Sequence, residues 1–275
     1  VLIFFLVSPL MEIIPISFSV SPFMVFTDEM LTWPPDPDAW SLRWYKNMIG
    51  NCSADVVSST VPCSDKWVTG TINSFFIGFV ATFIATALGT LAALGLSRPH
   101  MPYKGLIMAI LISPMIVPLI ITAAGMFFFY ARINLVYSFT GIILAHVALA
   151  TPFVVITVTA TLVGFDMNMV KASQSLGAKP LRTFFKIIMP LILPGVISGA
   201  LFAFITSFDE VVIVMFMASL DQLTIPKQMW AGIRQEISPV ILCMATCLVV
   251  LSIFLLTTVE LLRRRSEKLR GITAR

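Results

Sequence analysis

The chain has 275 residues, 58% of them hydrophobic and only 12% charged, with a mean hydropathy of +0.95. Soluble domains use roughly 45–50% apolar and 25% charged residues; 18 basic and 14 acidic side chains cannot cover a water-facing surface here, so a soluble globule is excluded and the apolar excess faces lipid. The net charge of +4 does not signify nucleic acid, because the basic residues stand at the ends of apolar runs and form no face of their own.

A spanning helix needs roughly 20 predominantly apolar residues, and six such runs are predicted, over 1–25, 71–96, 105–130, 141–164, 190–218 and 238–262. The first opens on VLIFFLVSPL, without a charged leader or a small-residue cleavage site, so it reads as a span and not as a cleavable signal. Since the chain starts at Val1 inside that stretch, a further N-terminal segment is expected upstream. Pro9, Pro15 and Pro22 interrupt the run, and Glu12, an ionisable group within a span, is a candidate for the solute pathway if the helix unwinds beside Pro15.

The segment 27–68 that follows contains TWPPDPDAWSLRWY, which predicts a loop ordered by turns and aromatic contacts at the membrane boundary. Its Cys52 and Cys63 are either joined as a disulfide or present as two free thiols; an oxidising compartment permits the bond without requiring it. Cys243 and Cys247 lie one helical turn apart in an apolar run, and no metal-ligand spacing occurs. Gly78, Gly89 and Gly95 let the second run approach its neighbours closely. His146, in the fourth, has no carboxylate one turn away and reads as a packed, hydrogen-bonded core residue.

In the fifth run, Asp209 and Glu210 lie where an ionised group is costly against lipid, so they face a water-filled path or a partner. A cationic solute would gain from them. The other reading makes them caps near the outer boundary, or partners of Arg234. Successive helical positions point about 100° apart, so at most one of the two meets a pathway squarely.

The connection 165–189, FDMNMVKASQSLGAKPLRTFFKIIM, has the character of structure. VKASQSL predicts a short helix, Gly177 a left-handed stop, and LRTFFKII with Pro190 a second amphipathic piece leading into the fifth run. If the first run begins in the cytoplasm, the inner segments carry Arg98 and Lys104, then Lys171, Lys179, Arg182 and Lys186, then the six basic residues of the tail 263–275. That makes twelve inside against six outside, which places both termini in the cytoplasm.

This connection resembles the coupling motif of ATP-binding-cassette (ABC) importer permeases: Glu-Ala-Ala, three residues, Gly, nine residues, Ile, one residue, Leu-Pro. Lys171-Ala172-Ser173, Leu176-Gly177-Ala178 and Ile187-Ile188-Met189-Pro190 keep its spacing at every anchor. Lys171 stands where the family has glutamate, Ser173 where it has alanine and Met189 where it has leucine. PPDPDAWSLRWYKN, INSFFIGFVATFIATALGTLAALGLSR, ITSFDEVVIVMFMAS and TIPKQMWAGIRQEISPVILCMATCLVVL are similar to the spermidine/putrescine class of these permeases.

The resemblance implies an all-α integral membrane protein with six transmembrane helices in a type I ABC importer permease fold, N-in and C-in, forming a single permease domain. Lys171, Ala172, Ser173, Leu176, Gly177, Ala178, Ile187 and Pro190 would then dock on an ATPase. The implied partners are a homologous second permease, two ATP-binding cassette subunits and an extracytoplasmic solute-binding protein in the bacterial inner membrane. No cofactor is implied, and the solute is a polyamine, or another small nitrogenous compound such as an opine or aminobutyrate. Consistent with divided labour, no phosphate-cradling glycine loop followed by lysine and serine occurs in the chain. An ion-coupled secondary transporter would show inverted repeats and several intramembrane charges, and a membrane-embedded enzyme would show paired acids or a histidine cluster on facing spans; neither pattern is present.

Overall fold

Inside a bilayer every backbone polar group must be satisfied within the protein, which for a single apolar segment means a helix. The computed structural model describes residues 2–33, 36–51, 65–98, 100–163, 165–166, 168–235 and 238–269; the regular structure among them is helical, with one isolated bridge, Ser19 to Trp40. In chain order the helices are α1 (Leu2–Ile16), α2 (Asp28–Leu31), α3 (Arg43–Met48), α4 (Lys66–Leu96), α5 (Lys104–Ile116), α6 (Leu119–Arg132) and α7 (Phe139–Val163). There follow α8 (Asn168–Ser175), α9 (Pro180–Thr183), α10 (Met189–Phe208), α11 (Val212–Met217), α12 (Ile225–Gln235) and α13 (Pro239–Leu269).

Among the described residues, three helical segments are each long and apolar enough to cross a membrane: α4, α7 and the run Pro180–Phe208. The predicted run 105–130 is not one straight helix. It divides into α5 and α6, bent by 103° to each other, because Pro118 drives Val117 to an extended ψ of 136° and donates no hydrogen bond. Run 1–25 likewise stops being helical at Ile16, and its remainder forms turns. Run 190–218 is interrupted after Phe208 and resumes as α11. The predicted run 238–262 is helical from Pro239 onward, within α13.

The chain divides into two compact units, Val1–Val68 with Met229–Arg275, and Thr69–Gln228. In the first, α1 and α3 both pack on α13. Fully buried Trp44 donates its indole N–H to the Ser19 carbonyl at 2.9 Å, the Ser17 and Tyr45 hydroxyls meet at 2.7 Å, and the Phe18 and Tyr45 rings lie 5.0 Å apart. The aromatic ordering predicted for 27–68 is present in its described part. Cys243 is buried and gives its thiol to the Ser17 carbonyl at 3.3 Å. Cys52 and Cys63 lie outside the described residues.

In the second unit α7 is the central post, and α10 packs along it. Hydrocarbon tails are as apolar as leucine, so helices in lipid associate by close packing and not by exclusion from water. Val154 of α7 shows how close: a methyl group at Gly89 of α4 would stand 2.6 Å from its Cβ, and one at Gly199 of α10 would stand 3.0 Å from its Cα. Gly78 is similarly filled by Phe204, whereas a methyl at Gly95 would meet nothing within 4 Å among the described residues, so these do not supply the close neighbour expected of it. Phe75 and Phe79 of α4 interleave with Phe204 and Phe208 of α10, with ring centroids 5.1 to 6.5 Å apart across the two helices. His146 is the core residue its sequence context predicted, 1% exposed, with Nδ1 2.8 Å from the Ser207 hydroxyl.

Candidate functional site: the connection between α7 and α10

After α7 the chain makes a small folded element before α10 begins. Asp166 starts it: its carboxylate accepts the Asn168 N–H at 2.9 Å, satisfying a donor that α8 leaves open. Helix α8 ends in a paired closure, with the Gly177 N–H on the Gln174 carbonyl at 2.9 Å and the Ala178 N–H on the Ser173 carbonyl at 3.0 Å. This is the Schellman arrangement, which needs its turning residue in the left-handed region. Gly177 has φ +77°, and a side chain there would meet nothing within 4 Å. Glycine is therefore required by backbone conformation and not by crowding.

Pro180 then opens α9, its fixed φ matching the first helical position. Two hydroxyls lock α8 to α9: Ser173 Oγ and Thr183 Oγ1 are 2.9 Å apart, and both residues are buried, at 6% and 3% exposure. Ser173, the departure from the usual alanine, thus has a partner within the chain. Beyond Thr183 comes a π-helical turn, Phe184–Ile188, in which the Met189 N–H reaches back five residues to the Phe184 carbonyl. Pro190 has no N–H for the Lys186 carbonyl and its ring crowds that group; the wider turn accommodates it. Through this turn the element runs directly into α10, giving one continuous helical path from Pro180 to Phe208.

Of the residues singled out in the sequence, Lys171, Ala172, Leu176, Gly177 and Pro190 are exposed on this element, Ala178 and Ile187 are half-buried, and Ser173 is buried. A pocket of about 880 Å³ lies behind it, walled by α8 and α9 on one side and by the end of α4 and the following turn, including Arg98 and His100, on the other.

The acids at the far end of α10 separate in role. Phe208 ends the helix, Asp209 follows as its exposed cap, and Glu210 turns inward to 7% exposure. Glu210 Oε1 accepts the Ile213 N–H at 2.8 Å, one of the donors opened where α11 starts. Capping thus describes Glu210, and Asp209 alone keeps an exposed carboxylate. The His146–Ser207 bond pins the last turn of α10 to α7 just before this break. Glu12 is exposed on α1, in the other unit, and α1 stays helical through Pro15, ending one residue later. The sequence reading missed Gly195 and Gly199, which seat α10 against Thr157 and Thr161 of α7; their spacing of four was the available signal.

The central pair of helices, α7 and α10, thus carries a folded appendage made of α8 and α9. A family described as "Binding-protein-dependent transport system inner membrane component" matches residues 71–268, and the chain belongs to it. It is 29% identical over 228 residues to the spermidine/putrescine transport system permease protein PotC of Haemophilus influenzae, covering 83% of this chain and 84% of that one. To PotC of Escherichia coli strain K12 it is 32% identical over 190 residues, 69% and 72% of the two chains. Among solved structures, a bacterial ABC transporter involved in the import of the acidic polysaccharide alginate contains a chain that superposes with a TM-score of 0.66 at 14% identity, covering 96% of this chain and 91% of that one; this likeness speaks to fold alone. The protein is thus a multi-pass inner-membrane permease of an ABC transport system, a transport component and not an enzyme.

Proposed function

We propose that this chain is the transmembrane subunit of an ATP-driven importer that carries a polyamine, of the putrescine or spermidine kind, into the cytoplasm. Six spans with both termini inside put the α8–α9 element at the cytoplasmic face, where it seats in a cleft on one of two ATPase subunits. A homologous second permease completes the pathway, and an extracytoplasmic binding protein delivers the solute. The observation that carries this reading is the closed fold of the element: a glycine stop, a buried hydroxyl pair and unbroken continuation into α10. Closure of the ATPases would move the element as a unit, and α10, seated on α7 through Gly195 and Gly199, would transmit that displacement to the pathway. The solute assignment is supported by the PotC relatives and by Asp209, whose exposed carboxylate offers a cation a charged partner where water is scarce.

The test is uptake of radiolabelled putrescine and spermidine into vesicles holding the full complex with ATP inside or absent. Uptake that depends on ATP and on the binding protein, and is competed by unlabelled polyamine, is expected. ATP-dependent uptake competed by an opine or aminobutyrate instead would overturn the solute assignment, and uptake driven by an ion gradient without the ATPases would overturn the class of mechanism.

A further inference from the structure

We infer that the surface formed by α8, the Gly177 turn and α9 is built for an acidic, apolar-lined cleft, so that the ATPase partner presents carboxylates to it; this rests on the docking role proposed above. Between 165 and 190 the chain carries Lys171, Lys179, Arg182 and Lys186 against a single carboxylate, Asp166. That carboxylate faces its own backbone through the Asn168 N–H. The four cations are exposed. Among them project Leu176 at 88%, Leu181 at 73% and Phe185 at 63% exposure, a cluster of large apolar side chains of the kind that marks an interaction surface.

A partner must therefore supply both apolar cover and negative charge. An anionic lipid surface has both, but it is fluid and gains nothing from a fixed register. This element is held in one register: the Schellman closure fixes Leu176 relative to α8, and the Ser173–Thr183 bond fixes α9, with Leu181, relative to α8. Pre-organised projecting side chains suit a shaped protein cleft, where apolar anchors supply the binding and the surrounding charges select the partner and its orientation. Lys171 is central to this sign. With a carboxylate at that position the face would offer both charges near its glycine turn; with lysine, every charged side chain from 171 to 186 is positive.

The experiment uses the complete complex in nanodiscs of phosphatidylcholine, without anionic lipid. Two readouts are taken. The first is cross-linking from Leu181→Cys, with Cys52, Cys63, Cys243 and Cys247 replaced by serine, to cysteines placed along the ATPase cleft. The second is release of a fluorescent ATPase from wild type, from Lys171→Gln/Lys179→Gln/Arg182→Gln, and from Lys171→Glu/Lys179→Glu/Arg182→Glu. The cross-link should form, and the glutamate variant should bind the ATPase about tenfold or more weakly at low ionic strength, with the glutamine variant between; the difference should shrink at ~0.5 M salt as exposed charges are screened. Lysine in place of the cleft carboxylates nearest the cross-link should restore binding to the glutamate variant. A cross-link with unchanged or tighter binding of the glutamate variant overturns the acidic cleft while leaving docking intact. Weakening that occurs only after phosphatidylglycerol is added overturns it in favour of a membrane surface. Failure of the cross-link itself removes the docking role on which the inference stands.

Discussion

Replacing Gly177 by valine perturbs one quantity, the backbone conformation of the turn. At φ +77°, with no atom within 4 Å of a built side chain, the substitution meets no steric neighbour, so its effect is the intrinsic cost of the left-handed region. That cost is about 1–2 kcal/mol for an ordinary L-residue and larger for a β-branched one. The turn is held by only two backbone bonds, from Gly177 to Gln174 and from Ala178 to Ser173, which at roughly 1 kcal/mol net each cannot hold a strained valine in place. The population of the closed element should fall by about 5- to 30-fold. Asparagine tolerates the left-handed region, so Gly177→Asn should retain most function although it is the larger change in chemistry. The assay is ATP hydrolysis stimulated by loaded binding protein in vesicles, normalised to permease present in the membrane. Equal loss in the valine and asparagine variants, or wild-type hydrolysis in the valine variant, would refute the claim that conformation at this residue sets coupling.

Ser173→Ala should leave the Thr183 hydroxyl buried without its partner and destabilise the element by about 1–3 kcal/mol, read as fewer solute molecules moved per ATP hydrolysed; adding Thr183→Val should recover part of the loss, and strict additivity would sink the pairing. Asp209→Asn should raise the KM for cationic solute several-fold without changing the amount of permease in the membrane, whereas Glu210→Gln should lower that amount by weakening the start of α11; the reverse pattern would exchange their roles. Gly199→Val forces a branched side chain against the Val154 backbone, and such overpacking typically costs about 1–3 kcal/mol; it should lower the thermal stability of the detergent-purified protein, and an unchanged midpoint would contradict the close α7–α10 contact.

Much of the element was legible in the sequence because its markers are local. Gly177 and Pro190 fix backbone geometry whatever surrounds them, and they marked the stop of α8 and the entry to α10; the start of α9 at Pro180 and the Asp166 cap were not singled out. Run boundaries fared less well. Hydropathy alone cannot distinguish a straight span from one bent at Val117–Pro118, since both halves are equally apolar. The pairing of Ser173 with Thr183 was hidden because it depends on how two short helices fold back on each other. Asp209 and Glu210 look alike in sequence; only the end of α10 at Phe208 turns one outward and the other onto the Ile213 N–H.

The central claim, that the α8–α9 element lies at the cytoplasmic face and seats on an ATPase, is tested most directly by labelling Leu176→Cys with a membrane-impermeant maleimide, all native cysteines having been replaced by serine. Inverted vesicles carrying the permease pair alone should label rapidly, right-side-out vesicles should not, and adding the ATPase subunits should protect the site from the inner side. Labelling from the outer side, or unchanged reactivity when the ATPases bind, would contradict the account.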